Sequence, residues 1–179
     1  MMEDAKIRRA AAADANVIAA LAATTAYETY FETDEPEDLA KYIADFFNPQ
    51  AVKTELEDKD STFFLVEVNG KAVGYAKLRE GQPDECVKDE NIIELHRLYV
   101  LEKMIRHGIG RLLMRKCLDE AKSRGFDALW LSVFNLNARA IGFYEKLGFT
   151  RVGETGFYYG EKRLSCWVMR IGLQVRGEK

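Results

Sequence analysis

Asn135-Leu136-Asn137-Ala138-Arg139-Ala140-Ile141-Gly142-Phe143-Tyr144-Glu145-Lys146-Leu147-Gly148-Phe149 is the stretch whose reading decides the fold. Its middle reads as a helix over Asn137 to Leu147, and Gly148 supplies the left-handed residue that commonly closes one. A compact apolar strand, Asp127 to Phe134, precedes it, and Phe149 to Gly153 with Leu164 to Gly172 read as the last antiparallel strands. Upstream, Gly108 to Arg124 places Ile109, Leu112, Leu113, Cys117 and Ala121 on one face, ends at Gly125, and is preceded by a long strand, Ile92 to Val100. Further back the apolar period is two. Thr62 to Val68 and Lys71 to Leu78 flank Asn69-Gly70, a pair that tolerates the positive φ of a tight hairpin. The first third is helical after a short strand near Lys6 to Arg9. One helix starts with Asp14 as its cap and buries Ile18, Leu21, Ala22 and Thr25. A second starts near Pro36 with a stripe of Leu39, Tyr42, Ile43 and Phe46, and a short one after Asn48-Pro49 carries Val52 and Leu56.

A chain of 179 residues has the length of one ordinary domain, so a single domain over residues 1–179 is expected. With 47% hydrophobic residues it can bury a core. The 26 basic and 29 acidic residues give a net charge of -3, which provides no global positive field for nucleic acid. Cys86, Cys117 and Cys166 are scattered and odd in number, which reads as reduced thiols of a cytoplasmic protein. With only His96 and His107 besides them, no metal site is expected. No apolar run approaches the roughly 20 residues of a membrane span.

Ile105-Arg106-His107-Gly108-Ile109-Gly110-Arg111 carries the first chemical signal. A glycine loop between strand and helix can cradle phosphates, because the first helical turn leaves N–H groups unpaired and carries partial positive charge. Arg106 and Arg111 add cations. The dinucleotide fingerprint fails, since Leu113 stands at its third glycine, and no GxxxxGK[ST] occurs.

Taken with Leu98-Tyr99-Val100 and the Asn-x-x-Ala-x-x-Phe-Tyr-x-x-x-Gly-Phe block, this loop resembles the GCN5-related N-acetyltransferase (GNAT) superfamily in order and spacing, over roughly Thr62 to Gly172. The family's Arg or Gln three residues before the first loop glycine is Ile105 here, and Arg106 follows it. The resemblance implies an α+β fold with a mixed, mostly antiparallel sheet splayed between its fourth and fifth strands and flanked by helices. It implies acetyl-CoA as co-substrate. Its pantetheine arm pairs with backbone groups of Leu98, Tyr99 and Val100, its pyrophosphate rests on Arg106, His107, Gly108, Ile109, Gly110 and Arg111, and Asn137 and Tyr144 line the other wall.

The implied reaction is direct attack of an amine on the thioester, without metal or covalent enzyme intermediate. Glu94 stands where the family's strand-four glutamate base stands. The strand period puts it on one face with His96, about 6.6 Å along, so that a water could link them. The plain alternative is that Glu94 pairs with a nearby arginine and His96 packs in the core. Tyr144 occupies the general-acid position, with ring burial as its alternative. The Tyr-rich run Phe157-Tyr158-Tyr159-Gly160 reads as a turn with room to border an acceptor site, and Trp130 and Trp167 as core.

For the acceptor, Glu28, Glu32, Asp34, Glu35, Glu37 and Asp38 are interleaved with Tyr27, Tyr30 and Phe31, with no Lys or Arg among them. Such a cluster is either a solvated helix end or a surface for a polycation, with Tyr27, Glu28, Tyr30, Phe31, Glu32 and His96 as the substrate-facing residues. In general look the chain is similar to the bacterial polyamine (spermidine/spermine) N-acetyltransferase branch. The expected partner is therefore a small-molecule amine, with no nucleic acid and no membrane, and with room for a homodimer. Protein N-terminal or lysine acetylation and a non-catalytic acyl-CoA-binding regulator are the competing readings.

Overall fold

The structure is a computed structural model, described here for residues 5–32, 34–81, 83–159 and 162–173. Among the described residues, seven strands and five α-helices follow one another in this order: β1 Ala5–Arg9, α1 Ala15–Tyr30, α2 Pro36–Phe46, α3 Pro49–Glu57, β2 Ser61–Val68, β3 Lys71–Arg79, β4 Ile92–Val100, α4 Ile109–Ser123, β5 Ala128–Phe134, α5 Ala138–Lys146, β6 Thr150–Tyr159 and β7 Lys162–Gly172. The strands form one mixed sheet in the order β1-β2-β3-β4-β5-β7-β6. β1 pairs antiparallel with β2, and β7 antiparallel with both β5 and β6. β4 and β5 are parallel. Their ladder covers only Ile92↔Ala128, Ile93↔Leu129 and Glu94↔Trp130, although β4 runs on to Val100 and β5 to Phe134. The α+β class and the mixed sheet with an interrupted fourth and fifth strand pair are thus as expected.

The chain groups into two compact units. Met1–Leu78 with Arg97–Cys117 makes the first, and its core joins Ile18, Leu21 and Ala22 of α1 to Phe47, Val52, Phe63, Leu65 and Tyr75. Arg79–His96 with Leu118–Lys179 makes the second, centred on Val87, Ile92, Ala128, Trp130 and Val168. In the hairpin, Asn69 and Gly70 have φ of 51° and 70°, the paired positive values that the right-handed twist of β2 and β3 favours.

Four sequence expectations need correction. Asp14 precedes α1 but makes no side-chain cap. Its carboxylate instead holds Arg8 of β1 at 2.7 and 2.8 Å and accepts the Ala11 N–H, and the guanidinium keeps its pKa below the usual carboxylate range. In α2 the inward aromatic is Phe47, buried, whereas Phe46 is 51% exposed. Phe47 leaves the helix at φ -119° while its N–H still bonds Ile43, which turns the ring inward. Phe157, Tyr158 and Tyr159 belong to β6, paired with Leu164, Arg163 and Lys162 of β7, while Gly160 lies outside the described residues. Trp130 is core, but Trp167 is half-buried with the Arg151 guanidinium 5.1 Å above its ring. Among the described residues no helix is long and apolar enough to cross a membrane.

Candidate active site

The loop before α4 makes a tight turn with two left-handed residues. Arg106 has φ 70° and Gly108 φ 83°, so a non-glycine residue is held in the left-handed region at a cost of order 1 kcal/mol. His107 Nδ1 lies 3.1 Å from the Ile105 carbonyl, and the carbonyl of Gly108, the residue before α4, accepts the Leu112 N–H at 3.0 Å. The N–H groups of its first turn have no intrahelical acceptor. No acid lies in that turn, and Arg106, His107 and Arg111 are exposed. Backbone donors, the positive end of a 15-residue helix and two guanidiniums together fit a pyrophosphate. The Ile109 side chain, in the first turn of α4, is buried.

In the same unit, the end of β4 is set by a close approach. A Cβ on Gly74 of β3 would lie 2.7 Å from the Tyr99 carbonyl oxygen and 3.2 Å from the Val100 side chain. Only glycine lets β3 pass this near to Leu98–Val100. Tyr99 rests against Tyr75, ring centroids 5.9 Å apart.

Glu94 is buried at 8% exposure, and its Oε2 takes Arg79 Nε at 2.8 Å and Nη2 at 2.7 Å. Glu94 is thus a buried carboxylate oriented by an arginine. His96 is half-buried. Tyr144 is 9% exposed, its ring edge-on to Phe143 at 5.4 Å and to Phe149 at 5.6 Å. Its carbonyl takes the Leu147 and Phe149 N–H groups as α5 closes. Asn137 caps α5, its Oδ1 accepting the Ala140 N–H at 3.0 Å, a structural duty that its sequence assignment to the cofactor wall did not include.

At the far end of α1, Tyr27 and Phe31 are 51% and 62% exposed with centroids 5.6 Å apart. Glu28 reaches across 74 positions to accept the Glu102 N–H at 3.0 Å. Tyr30 packs against the core of its unit, and Glu32 is exposed. The last turn of α1 holds no base.

Sequence reasoning missed an ionic cluster in the first unit. Glu55 of α3 takes Arg97 of β4 as a two-pronged pair, Nη1 to Oε2 at 2.5 Å and Nη2 to Oε1 at 3.1 Å, and Lys77 of β3 approaches the same Oε2 at 3.2 Å. Arg97 also stacks on Phe47 at 5.0 Å and Lys77 on Phe63 at 5.4 Å. Nearby, burial pushes the Tyr42 phenol up to about 12 and holds Tyr75 higher still. A signal for the cluster existed: Lys77 stands between Ala76 and Leu78 of β3 and Arg97 beside Leu98 of β4, and such charges are rarely buried unless paired.

The chain matches the acetyltransferase (GNAT) family over residues 20–149. It is 33% identical to the streptothricin acetyltransferase of Streptomyces lavendulae over 175 residues, covering 87% of each chain. It is 27% identical to an uncharacterized N-acetyltransferase of Lactobacillus delbrueckii subsp. lactis over 172 residues, covering 96% of this chain and 99% of the relative. In architecture it resembles the PaiA N-acetyltransferase of Thermoplasma acidophilum in complex with coenzyme A, with a TM-score of 0.78 at 20% identity over 94% of this chain and 99% of that one. The chain belongs to the GNAT family and is an acetyl-CoA-dependent N-acetyltransferase.

Proposed function

We propose that the chain transfers the acetyl group of acetyl-CoA to a primary amine of a small polycation such as spermidine or spermine. The observation that carries the acceptor class is the end of α1. Tyr27 and Phe31 stand exposed as adjacent rings, and Glu32, Glu35 and Glu37 are exposed beside them in the sequence without a base in the last helical turn. Ammonium groups are drawn to such carboxylates and to aromatic faces, and methylene chains to the same rings.

The chemistry follows from the groups assigned to it. The amides of Arg106 to Arg111 take the pyrophosphate, and backbone groups of Leu98, Tyr99 and Val100 take the pantetheine. Glu94, directly or through a water and with His96 as the second candidate, removes a proton from the acceptor ammonium. The freed amine nitrogen then bonds to the thioester carbonyl carbon. A backbone N–H near Leu98–Val100 stabilises the oxygen that becomes negative. As the carbon–sulfur bond breaks, Tyr144 gives the departing thiolate its phenolic proton, and the proton that the bonded nitrogen sheds to become an amide restores the phenol. Arg79 supports this scheme by fixing the Glu94 carboxylate through one oxygen.

A second reading is favoured by the 33% identical relative, whose acceptor is streptothricin, a different small molecule. Thiol release from acetyl-CoA, measured with spermidine, spermine, streptothricin, a lysine peptide and a peptide with a free N-terminus, separates the readings. Turnover is expected to be fastest with the polyamines. Efficient acetylation of either peptide with polyamines ignored would make the acidic segment a solvated helix end and nothing more.

A further inference from the structure

We infer that Glu55 is a positioning residue for acetyl-CoA, acting through Arg97 to fix the backbone of β4; the inference rests on the assignment of Leu98–Val100 to the pantetheine arm. Arg97 immediately precedes that tripeptide. Its guanidinium is held at both ends by one carboxylate, at 2.5 and 3.1 Å, and is 9% exposed. A two-pronged pair between planar groups fixes orientation as well as distance. The Phe47 ring, 5.0 Å from the guanidinium carbon, restricts it further. Lys77, 3% exposed, holds Oε2 from β3, so Glu55 ties α3 to both strands with a single group. Gly74 brings β3 against the Tyr99 carbonyl two residues beyond Arg97, so a shift of the arginine is transmitted to the segment proposed to pair with the cofactor.

The pair could instead serve stability alone, since a buried charge stripped of its partner is strongly destabilising. The kinetic parameters distinguish the two. Glu55→Gln keeps the size of the side chain, removes the charge and places an amide donor against a guanidinium donor. In folded protein, checked by circular dichroism at the assay temperature, we expect the acetyl-CoA Kd from calorimetry and the acetyl-CoA KM to rise roughly tenfold or more, with the acceptor KM changed less than about twofold. Arg97→Gln should reproduce the effect, and the double variant should be no worse than either single one, the signature of two residues acting as a unit. Lys53→Met, which removes only the exposed Lys53–Glu57 pair of the same helix and leaves the Glu55 cluster in place, should leave the acetyl-CoA KM as it is.

If Glu55→Gln does not fold, Arg97→Lys answers the question. It keeps the charge but replaces the fork by a single head, and the acetyl-CoA KM should still rise. Unchanged acetyl-CoA Kd and KM in the folded variant, or effects of Glu55→Gln and Arg97→Gln that simply add, would overturn the inference and leave the cluster a stabilising one. The calorimetric arm needs no acceptor, so it stands whether or not the polyamine reading survives. If the CoA of the unaltered protein binds elsewhere than at β4 and the Gly108 loop, the loop substitutions discussed below leave its affinity intact, which tests the underlying assignment separately.

Discussion

Tyr144 is the residue at which packing and chemistry compete most directly. Its ring is seated between Phe143 and Phe149, and its main chain closes α5, so removal of the whole side chain would leave a cavity and confound any kinetic reading. Tyr144→Phe keeps the ring and deletes only the hydroxyl. If the phenol protonates the leaving thiolate, kcat should fall by about 10² while acetyl-CoA affinity holds, because an interaction made only in the transition state has been lost. Equal kcat in the two proteins, measured under single-turnover conditions so that product release is not rate-limiting, would return Tyr144 to the core. The cysteines offer no rival route. Burial raises the Cys166 thiol to about 11, and the neighbouring Asp84 raises that of Cys86, so both are protonated near neutrality and poor nucleophiles, while Cys117 is fully buried on α4. Direct attack by the amine requires no enzyme nucleophile and is consistent with this.

Between β4 and α4, the loop carries a prediction at the scale of the element. Gly108 has φ 83°, and a Cβ added there would meet nothing within 4 Å, so a side chain costs only the left-handed backbone, which Asp and Asn tolerate better than other residues. An aspartate at the head of α4 even suits the helix dipole. Gly108→Asp should therefore fold and still lose about 10²-fold or more in CoA affinity by calorimetry, since its carboxylate occupies the place proposed for the pyrophosphate. Gly108→Asn has the same shape without the charge and should lose far less. Equal affinity of the Asp and Asn variants would remove the pyrophosphate from this loop. Elements of this kind were legible because their signals are local: Asn69-Gly70 sets its own turn, Gly108, Gly125 and Gly148 bracket their helices, and the apolar periods mark the strands. The errors arose where distant residues decide. Asp14 leaves α1 uncapped because Arg8 on β1 and the Ala11 N–H claim its carboxylate, Phe47 displaces Phe46 because the chain leaves the helix after Phe46 and turns the next ring inward, and β6 extends through Tyr159 because β7 offers it a partner. In the site, the loop and α5 could be read from motifs, but which residues pair with Glu94 and Arg97 could not, since Arg79 and Glu55 lie 15 and 42 positions away.

Over the whole molecule the charges nearly cancel, with 26 basic against 29 acidic residues, so any attraction for a polycation has to come from their distribution. The distribution is uneven: residues 27–38 carry six acids and no base, and α1 ends without a cation to offset its negative pole. The carboxylates of Glu32, Glu35 and Glu37 are exposed, where salt screens charge with a length of about 8 Å at physiological ionic strength. If this segment gathers the acceptor, the spermine KM should climb as sodium chloride is raised from about 0.05 to 0.5 M, and more steeply than the KM of a monoamine, because each additional ammonium adds its own screened attraction. Glu28→Gln, Glu32→Gln and Asp34→Asn combined should raise the polyamine KM at low salt and flatten its salt dependence, with acetyl-CoA affinity serving as the internal control. Glu28 also accepts the Glu102 N–H, a bond that the glutamine oxygen can retain, so the triple variant changes charge with little change in that contact. A salt slope identical for spermine and a monoamine, or one that the triple variant leaves as steep as before, would mean that residues 27–38 do not recruit the acceptor.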